Sequence, residues 1–289
     1  MEGSPRPDAQ SPAGTRLWRP AAQRNLRNAW SKIVGQQAAW TSASSKSLKV
    51  ASSLVNAHLS SRYIPTMDMG ILKEMDGICD RAQSKLLRQQ EDYLHKLLSC
   101  YKDLVDAVLD MSNASKSMRT YVKGSAGNPL VEFCNNFGLD GDYGDGGGIA
   151  IFSTLSVQYF EKLGEELVEM FVLELKVKRL LVVAFHAIVC NEAQEIHPNS
   201  VMGWSEELYP GEFNNVKNFT DIFKIDYSTL PPRLDWLEFD ESVHRQSKLH
   251  PRREVLEVYL TAWLAEVNVK QSRIDEIISM VQEEMQITL

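Results

Sequence analysis

Residues 71–111 read ILKEMDGICDRAQSKLLRQQEDYLHKLLSCYKDLVDAVLDM, and their apolar residues recur at intervals of three and four around polar Gln90. This repeat of about 3.5 residues puts one apolar stripe along a helix, and a second helix must cover it. Because Pro65 and Gly124 bound the stretch, we predict a long coiled-coil helix over 65–124. The stripe, hereafter the seam, consists of Ile71, Met75, Ile78, Ala82, Leu86, Tyr93, Leu97, Tyr101, Leu104, Val108 and Met111.

Prolines and glycines divide the rest of the chain. We predict a disordered tail over 1–19, a basic helical segment over 20–64, a Gly- and Asp-rich linker over 125–152, a helix over 153–189, an irregular acidic insert of low structural order over 190–250, and C-terminal helices over 251–289. Pro20 suits a helix entrance, and Ser153 or Thr154 suits the start of the third helix. Patterns typical of strands are nearly absent. The predicted fold is therefore all-α, an elongated antiparallel helical bundle or coiled coil of four to five long helices.

Charge is distributed unevenly along the chain. The formal net charge is -7, yet residues 1–66 hold nine Arg and Lys against Glu2 and Asp8, so the remainder carries -14. Such a basic arm can meet an acidic partner or nucleic acid, or it can fold back on the chain's own acidic surface. The four cysteines form no CxxC pair, and no secretory h-region is present. We therefore expect reduced thiols in a nuclear or cytosolic protein.

No group of residues carries a strong signature of chemistry. The stretch from Asp140 to Ile151 resembles a calcium loop but lacks ligands at its fifth and twelfth positions. His186 and Cys190 have the spacing of a zinc pair, and no second pair accompanies them. No fixed-spacing catalytic motif is present. We therefore predict a protein that is not an enzyme, with no catalytic residue, no metal site and no cofactor.

Two tryptophans stand out in the basic helical segment. Trp30 and Trp40 share a helix with Arg24, Arg27 and Lys32. They are either core side chains or an anchor for a partner helix. Stacking on single-stranded bases is a third interpretation, although a spacing of ten residues suits helix packing better.

Two C-terminal blocks carry a family resemblance. The first runs gaplessly from Phe152-Ser-Thr154 through Phe160, Leu167-Val-Glu169-Met170-Phe171 and Glu174-Leu175 to Lys178-Arg179, and the second is Tyr259-Leu260-x-x-Trp263-Leu264. Together they resemble the cyclin-dependent kinase 2-interacting protein family, with a looser match upstream around Trp30 and Trp40. The resemblance spans roughly 20–125, 150–184 and 255–285, and the chain departs from the family between about Phe185 and Val255.

The resemblance implies a nuclear adaptor, with a cytoplasmic pool as the alternative. It implies a hetero-oligomer with a second helical subunit, an AAA+ ATPase of ribosome maturation and replisome turnover, and a cyclin-dependent kinase of replication and checkpoint complexes. We take as candidate partner-binding residues Trp30, Trp40, Phe152, Phe160, Met170, Glu174, Lys178, Arg179, Tyr259 and Trp263. Of these, Phe152, Phe160, Trp263, Lys178 and Arg179 are expected to orient the C-terminal helices.

Three rival functions use the same helical architecture. A membrane-shaping helical dimer needs a basic face, which the -14 beyond residue 66 opposes. Direct nucleic-acid binding through the basic arm is opposed by a pI of about 5.5. A generic coiled-coil tether, or a vesicle or cytoskeletal scaffold with unrelated partners, stays open because a coiled-coil seam does not identify its partner. We expect neither membrane nor direct nucleic-acid binding.

Overall fold

The fold consists of helices throughout the part of the chain that the structure describes. A computed structural model describes residues 12–118, 150–193, 207–215 and 251–288. Its five α-helices are α1 (Pro12–Tyr63), α2 (Ile78–Ser117), α3 (Val157–Ala193), α4 (Arg253–Ala265) and α5 (Gln271–Met285). Two short 3-10 helices, Ile64–Thr66 and Gly70–Glu74, connect α1 to α2. Since no strand occurs in these described ranges, the predicted all-α helical bundle is confirmed.

The chain forms two compact units, each assembled from separate stretches of sequence. The first unit comprises Met1–Gln36, Asp110–Val168 and Lys270–Leu289. The second comprises Gln37–Leu109 and Glu169–Val269. Side chains at the centre of the first unit include Leu26, Trp30, Ile33, Met111, Phe160, Leu167 and Ile274. Those at the centre of the second include Trp40, Leu54, Leu97, Tyr101, Phe171, Phe185 and Trp263.

Helix α1 is longer than the sequence predicts. It begins at Pro12, so Pro20 lies inside it and the prediction of a helix entrance at Pro20 is wrong. Proline is tolerated at the first position of a helix, and the residues that follow Pro12 include good helix formers such as Leu17. The Ser-rich stretch Thr41–Ser47 lies inside α1 and is helical, and hydroxyls in it bond back to carbonyls of the preceding turn. Thr41 Oγ1, for example, donates to the Gln37 carbonyl at 3.0 Å.

Helix α2 is shorter than predicted. The helix expected from residue 65 starts only at Ile78, so that prediction is wrong for its first thirteen residues. Gly70 has φ +52 and Gly77 has φ +67, left-handed backbone that ends any right-handed helix run. The C-terminal end of the prediction, residues 119–124, lies outside the described residues, as do residues 1–11 of the predicted tail and 125–149 of the predicted linker.

Helix α3 starts later than predicted. Ser153 and Thr154 precede it, and their backbone N–H groups bond to Glu284. Ser156 instead stands before the first helical residue, and its Oγ accepts from Tyr159 N–H at 3.4 Å. The helix continues to Ala193, four residues beyond the predicted end.

The C-terminal helices follow the prediction closely. Helices α4 and α5 are separated by a loop that contains Asn268, the position at which the amphipathic pattern weakens. The loop opens at Glu266, which adopts the left-handed conformation with φ 43. Across the described ranges, no helix has the length and apolar character needed to cross a membrane.

One described piece of the predicted insert, residues 207–215, has defined structure. It makes a turn followed by one helical turn over 212–215. Its Glu212 is fully buried. The prediction of low order is therefore wrong for this piece, because a buried carboxylate ties it to the core of the second unit.

Candidate partner-binding site

Most of the predicted partner-binding residues lie in the core. Phe152 and Tyr259 are half-buried. The buried ones are Trp30, Trp40, Phe160, Met170, Glu174, Lys178, Arg179 and Trp263. A side chain without exposure cannot touch a partner unless the core opens. Direct partner contact through these eight side chains is therefore corrected to a role in internal packing.

Lys178 is the centre of a buried polar cluster in the second unit. Its side chain is 0% exposed, and its Nζ lies 3.2 Å from Glu266 Oε1 and 3.9 Å from Glu174 Oε1. The ammonium also donates to Ser44 Oγ at 3.3 Å and to the Trp263 backbone carbonyl. It sits over the Trp263 ring, 4.8 Å from the centroid. One cation thereby joins α1, α3 and the end of α4.

The two carboxylates of this Lys178 cluster are held by further donors. Glu266 Oε1 accepts from Trp40 Nε1 at 3.2 Å and from the Ser44 hydroxyl. Glu174 Oε2 accepts from both the backbone N–H and the side-chain amide of Asn268, each at 3.1 Å. These bonds fix the loop after α4 against α1 and α3, because a buried carboxylate needs every available donor.

Burial shifts the pKa of two groups in the Lys178 cluster. Desolvation lowers the pKa of Lys178, while Glu266 and Glu174 oppose that shift by favouring the ammonium. Desolvation likewise raises the pKa of Glu174, against the lowering effect of the Asn268 hydrogen bonds and the Lys178 charge. Each charge therefore depends on its partners to stay ionised in the core.

Aromatic rings surround the Lys178 cluster. Trp40 packs edge-on against Phe171, with ring centroids 5.3 Å apart, and Phe185 packs edge-on against Tyr259 at 6.1 Å. The Trp263 indole N–H donates to Ser47 Oγ at 3.2 Å. The spacing of the Y-L-x-x-W-L block thus has a local reason, since both its aromatic residues contact Phe185 in this packed region.

A second buried cluster in the second unit, the Glu212 cluster, holds residues 207–215. Glu212 Oε1 accepts from Tyr101 Oη and from Arg179 Nε, both at 2.8 Å. Its Oε2 accepts from the Leu208 N–H at 2.7 Å. Burial, and then the Glu212 carboxylate, raise the pKa of Tyr101 well above its usual value. Burial also raises the pKa of Tyr209 to about 12. Both phenols therefore stay neutral at physiological pH, and Tyr101 keeps the proton that it donates to Glu212.

In the first unit, Phe152 belongs to an aromatic and cationic contact. Its ring packs edge-on against Phe160, with centroids 5.6 Å apart, and Arg27 Cζ lies 5.1 Å from the Phe152 centroid. Next to it, Gln23 Nε2 donates to the Ile151 carbonyl at 2.7 Å. These contacts attach the residues before α3 to α1.

Glu284 of α5 completes that attachment. Its Oε2 accepts from the backbone N–H groups of Ser153, Thr154 and Leu155 at 3.2, 3.0 and 3.3 Å. Burial alone would raise the pKa of Glu284, but these hydrogen bonds and that of the Thr154 hydroxyl lower it. Arg273 of α5 meanwhile makes a two-pronged ion pair with Glu166 of α3 at 2.6 and 2.8 Å.

The face that a partner could reach lies on the outside of α4. Val258 is 63% exposed and Leu264 is 67% exposed, and Val267 in the following loop is 66% exposed. We call these three side chains the α4 face. The same helix buries Trp263 against the Lys178 cluster. One side of α4 is therefore anchored in the core, while the other presents Val258 and Leu264 to solvent among the polar residues Glu254, Glu257 and Thr261.

Sequence reasoning found Lys178, Arg179 and Glu174 but missed the other two carboxylate partners, Glu266 and Glu212. Glu266 and Glu212 follow no periodic pattern, and they meet α3 only through tertiary contacts 88 and 33 residues away. Glu284 likewise reaches 130 residues along the chain to Thr154. No local signal marks such pairs in one sequence, since isolated glutamates on amphipathic helices ordinarily face solvent.

No protein family, curated protein or solved structure matches this chain. The resemblance to the cyclin-dependent kinase 2-interacting protein family therefore stays a prediction from the residues quoted above.

Proposed function

We propose that this protein is a non-enzymatic helical adaptor that binds a second helical subunit through the α4 face. The observation that supports it is the exposure of Val258 and Leu264 on α4, and of Val267 just after it, on an element that Leu256 and Trp263 anchor in the core. Val258 and Leu264 lie about 120° apart around the helix axis, so a partner covers the whole exposed side of α4 to reach both. The partner that suits them is an amphipathic helix whose own apolar residues cover the three.

The Lys178 cluster gives this proposal a mechanism. An adaptor needs its contact face held in one orientation, because ordering a loose helix on binding costs free energy. The bonds from Lys178 to the Trp263 carbonyl and to Glu266 fix the last turn of α4 and the loop that carries Val267. Lys178 and Trp263 thus act as positioning residues, and Leu264 and its exposed neighbours make the contact.

The resemblance extends the proposal to a biological setting. Under it, the chain joins a nuclear complex that contains an AAA+ ATPase of ribosome maturation and replisome turnover. A cyclin-dependent kinase and replication checkpoint proteins are further proposed partners. The Leu264 of the α4 face stands inside the Y-L-x-x-W-L block on which the resemblance partly rests.

Affinity purification of the full chain, followed by mass spectrometry, tests the adaptor function. We expect an AAA+ ATPase and a helical subunit to co-purify with the wild type, and both to be lost from the variant Val258→Asp/Leu264→Asp. A matched control, Ser272→Asp/Ser279→Asp, adds the same two charges at exposed positions of α5 and should keep both partners. Circular dichroism should show unchanged helix content in both variants.

Two results would contradict the proposal. Undiminished partner recovery by Val258→Asp/Leu264→Asp would remove the α4 face from the interface. Recovery of vesicle-coat or motor proteins in place of an ATPase would favour the coiled-coil tether. Truncating Phe160 or Trp263 to Ala is a poor test, because both are fully buried and each change would cost about 3–5 kcal/mol of stability.

A further inference from the structure

The connection between α1 and α2 is the least covered part of the second unit. From Arg62 to Gln89, none of the side chains that the structure describes is buried. Met67 is 59% exposed, Ile71 85% and Met75 51%. We call residues 62–89 the exposed segment. The start of the seam, Ile71 and Met75, therefore lacks the cover that its pattern requires, and its positions from Ile78 to Tyr93 are only half-buried, whereas the seam from Leu97 to Met111 is buried within the chain.

The exposed apolar side chains form a surface of a kind that adapts to another protein. Unbranched methionines fit varied neighbours, and they are frequent where a protein surface binds other chains. Ile78, Ala82 and Leu86 continue the seam into α2 and are half-buried. An isolated patch of this kind is costly in water, since each apolar group left exposed forfeits its burial energy.

Apart from Arg62, which donates to the Pro251 carbonyl, the charges of the exposed segment separate into two halves. Residues 68–80 carry Asp68, Glu74, Asp76 and Asp80 against Lys73, a net charge of -3. Residues 81–89 carry Arg81, Lys85 and Arg88 and no acid, a net charge of +3. The three cations are four and three residues apart, so they line one face of α2 beside the seam.

Most of these charges are not used inside the chain. Among the described residues, Glu74, Asp76, Asp80, Lys85 and Arg88 take part in none of the ion pairs. All five are exposed. A run of like charges at four-residue spacing also disfavours its own helix unless an opposite charge faces it. The acidic and basic halves are therefore available to pair with another molecule.

We propose that a second copy of this chain covers the exposed segment, antiparallel and about a two-fold axis near Cys79. A two-fold interface brings each half of a surface against the other half of its copy. In the antiparallel arrangement, the acidic half of each copy (-3) faces the basic half of the other (+3). A parallel arrangement would place like charges against each other. Cys79 lies midway between Asp68 and Arg88, within about one residue.

Antiparallel pairing accounts both for the exposed apolar side chains of the segment and for its two oppositely charged halves. Met67, Ile71 and Met75 of one copy cover the start of the seam in α2 of the other. Glu74 and Asp76 face Lys85 and Arg88 across the same contact, twice by symmetry. The inference goes beyond the proposed adaptor function and does not use the α4 face. The resulting dimer would be an adaptor with two α4 faces, one on each copy.

A charge-swap experiment on the full chain tests this dimer. The acid-reversed variant is Glu74→Lys/Asp76→Lys, and the base-reversed variant is Lys85→Glu/Arg88→Glu. Sedimentation equilibrium should give the wild type a mass twice the 32.7 kDa of one chain. Each variant alone places like charges across both contacts and should bind itself about tenfold more weakly or worse. An equimolar mixture of the two restores opposite charges at both contacts and should recover the dimer.

The outcomes that overturn the dimer are distinct. A wild type that is monomeric at submillimolar concentration rejects the dimer, and a different protein would then have to cover the exposed segment. Dimers that persist in both variants place the interface elsewhere, and a mixture that stays monomeric rejects the antiparallel register. All four residues are exposed, so unchanged helix content by circular dichroism separates lost pairing from lost folding.

Cys79 reports the position of the axis. Its thiol is free and half-buried. A short bis-maleimide should cross-link wild-type dimers and fail with Cys79→Ser. Absence of a cross-linked dimer, or one that persists in Cys79→Ser, contradicts an axis near Cys79. The charge variants leave Val258 and Leu264 intact, so retained ATPase recovery alongside lost dimerisation distinguishes this inference from the adaptor proposal.

Discussion

Replacing Lys178 with methionine tests how far one buried cation holds the second unit together. Methionine has a similar length, so Lys178→Met removes the charge and its hydrogen bonds while it leaves little cavity. The change leaves the Glu266 and Glu174 carboxylates, which lie 3.2 and 3.9 Å from the ammonium, without a cation. It also removes the donor to the Trp263 carbonyl.

The expected loss follows from the burial of these groups. Removing one partner of a buried ion pair costs about 3–5 kcal/mol. The Glu266 side chain keeps 25% exposure and is partly solvated by water, so the lower end, about 3 kcal/mol, applies. For a chain of this size, that corresponds to a fall in Tm of about 6–12 °C.

The pH dependence of the loss identifies its cause. Glu174 has a raised pKa when folded, so its contribution to stability is present in acid and is lost as pH rises through that pKa. The Lys178 charge lowers the pKa of Glu174, so in Lys178→Met that pKa is raised further than in the wild type. The loss of stability in Lys178→Met relative to the wild type should therefore be smallest near pH 5 and largest above pH 7. Thermal unfolding followed by circular dichroism measures it.

Two controls complete the experiment. Lys162→Met, an exposed lysine of the same helix, should change stability by less than about 0.5 kcal/mol. The triple variant Lys178→Met/Glu174→Gln/Glu266→Gln removes all three charges and should recover most of the loss, because a neutral core needs no buried cation. A Tm unchanged in Lys178→Met, or a deficit that does not vary with pH, would refute the reasoning.

Three further predictions concern other contacts. Tyr101→Phe removes one of the bonds to Glu212 and should cost about 1–2 kcal/mol by denaturant titration, whereas Glu212→Ala should cost more and speed limited proteolysis between residues 207 and 215. Glu284→Gln should lower the free energy of unfolding at pH 7 but leave it equal to that of the wild type in strong acid. Folding lowers the pKa of Glu284, so its carboxylate stabilises the fold at pH values above its ordinary pKa, and this stability is lost as the pH falls through the folded pKa. An equal loss of stability at pH 3 and at pH 7 would contradict this. Gly35→Ala should raise stability by about 1 kcal/mol, since a Cβ there meets nothing within 4 Å, and Gly164→Ala should gain less because its Cβ meets Ser115 Oγ at 3.0 Å.

The sequence predicts the helices well where apolar periodicity is strong. Helices α4 and α5 fall where the pattern around Trp263 and Ile274 places them, and the seam from Leu97 to Met111 is buried as a helix stripe should be. Boundaries are less well predicted because they depend on single backbone positions. Gly77, for example, has a positive φ immediately before Ile78, and α2 begins only after it.

The candidate site is less well predicted than the helices. The residues around Lys178 were predicted to bind a partner, and the structure buries them within the chain. Amphipathic periodicity tells which side chains avoid water, and it does not tell whether the cover comes from the same chain or another one. Only the exposure of Leu264, Val258 and Ile71 separates the two cases.

The interleaved composition of the two units determines how binding can be mapped. The first unit draws on three stretches of sequence and the second on two, and helices α1, α2 and α3 each contribute residues to both. Only the full chain contains the first unit whole, and the fragment 37–269, which contains the second unit, also carries residues 110–168 of the first. Deletion series, the usual way to find a binding region, would therefore break the first unit from either end before they tested the second. Loss of binding in such fragments would report failed folding, and point substitutions at exposed positions of the intact chain are the informative alternative.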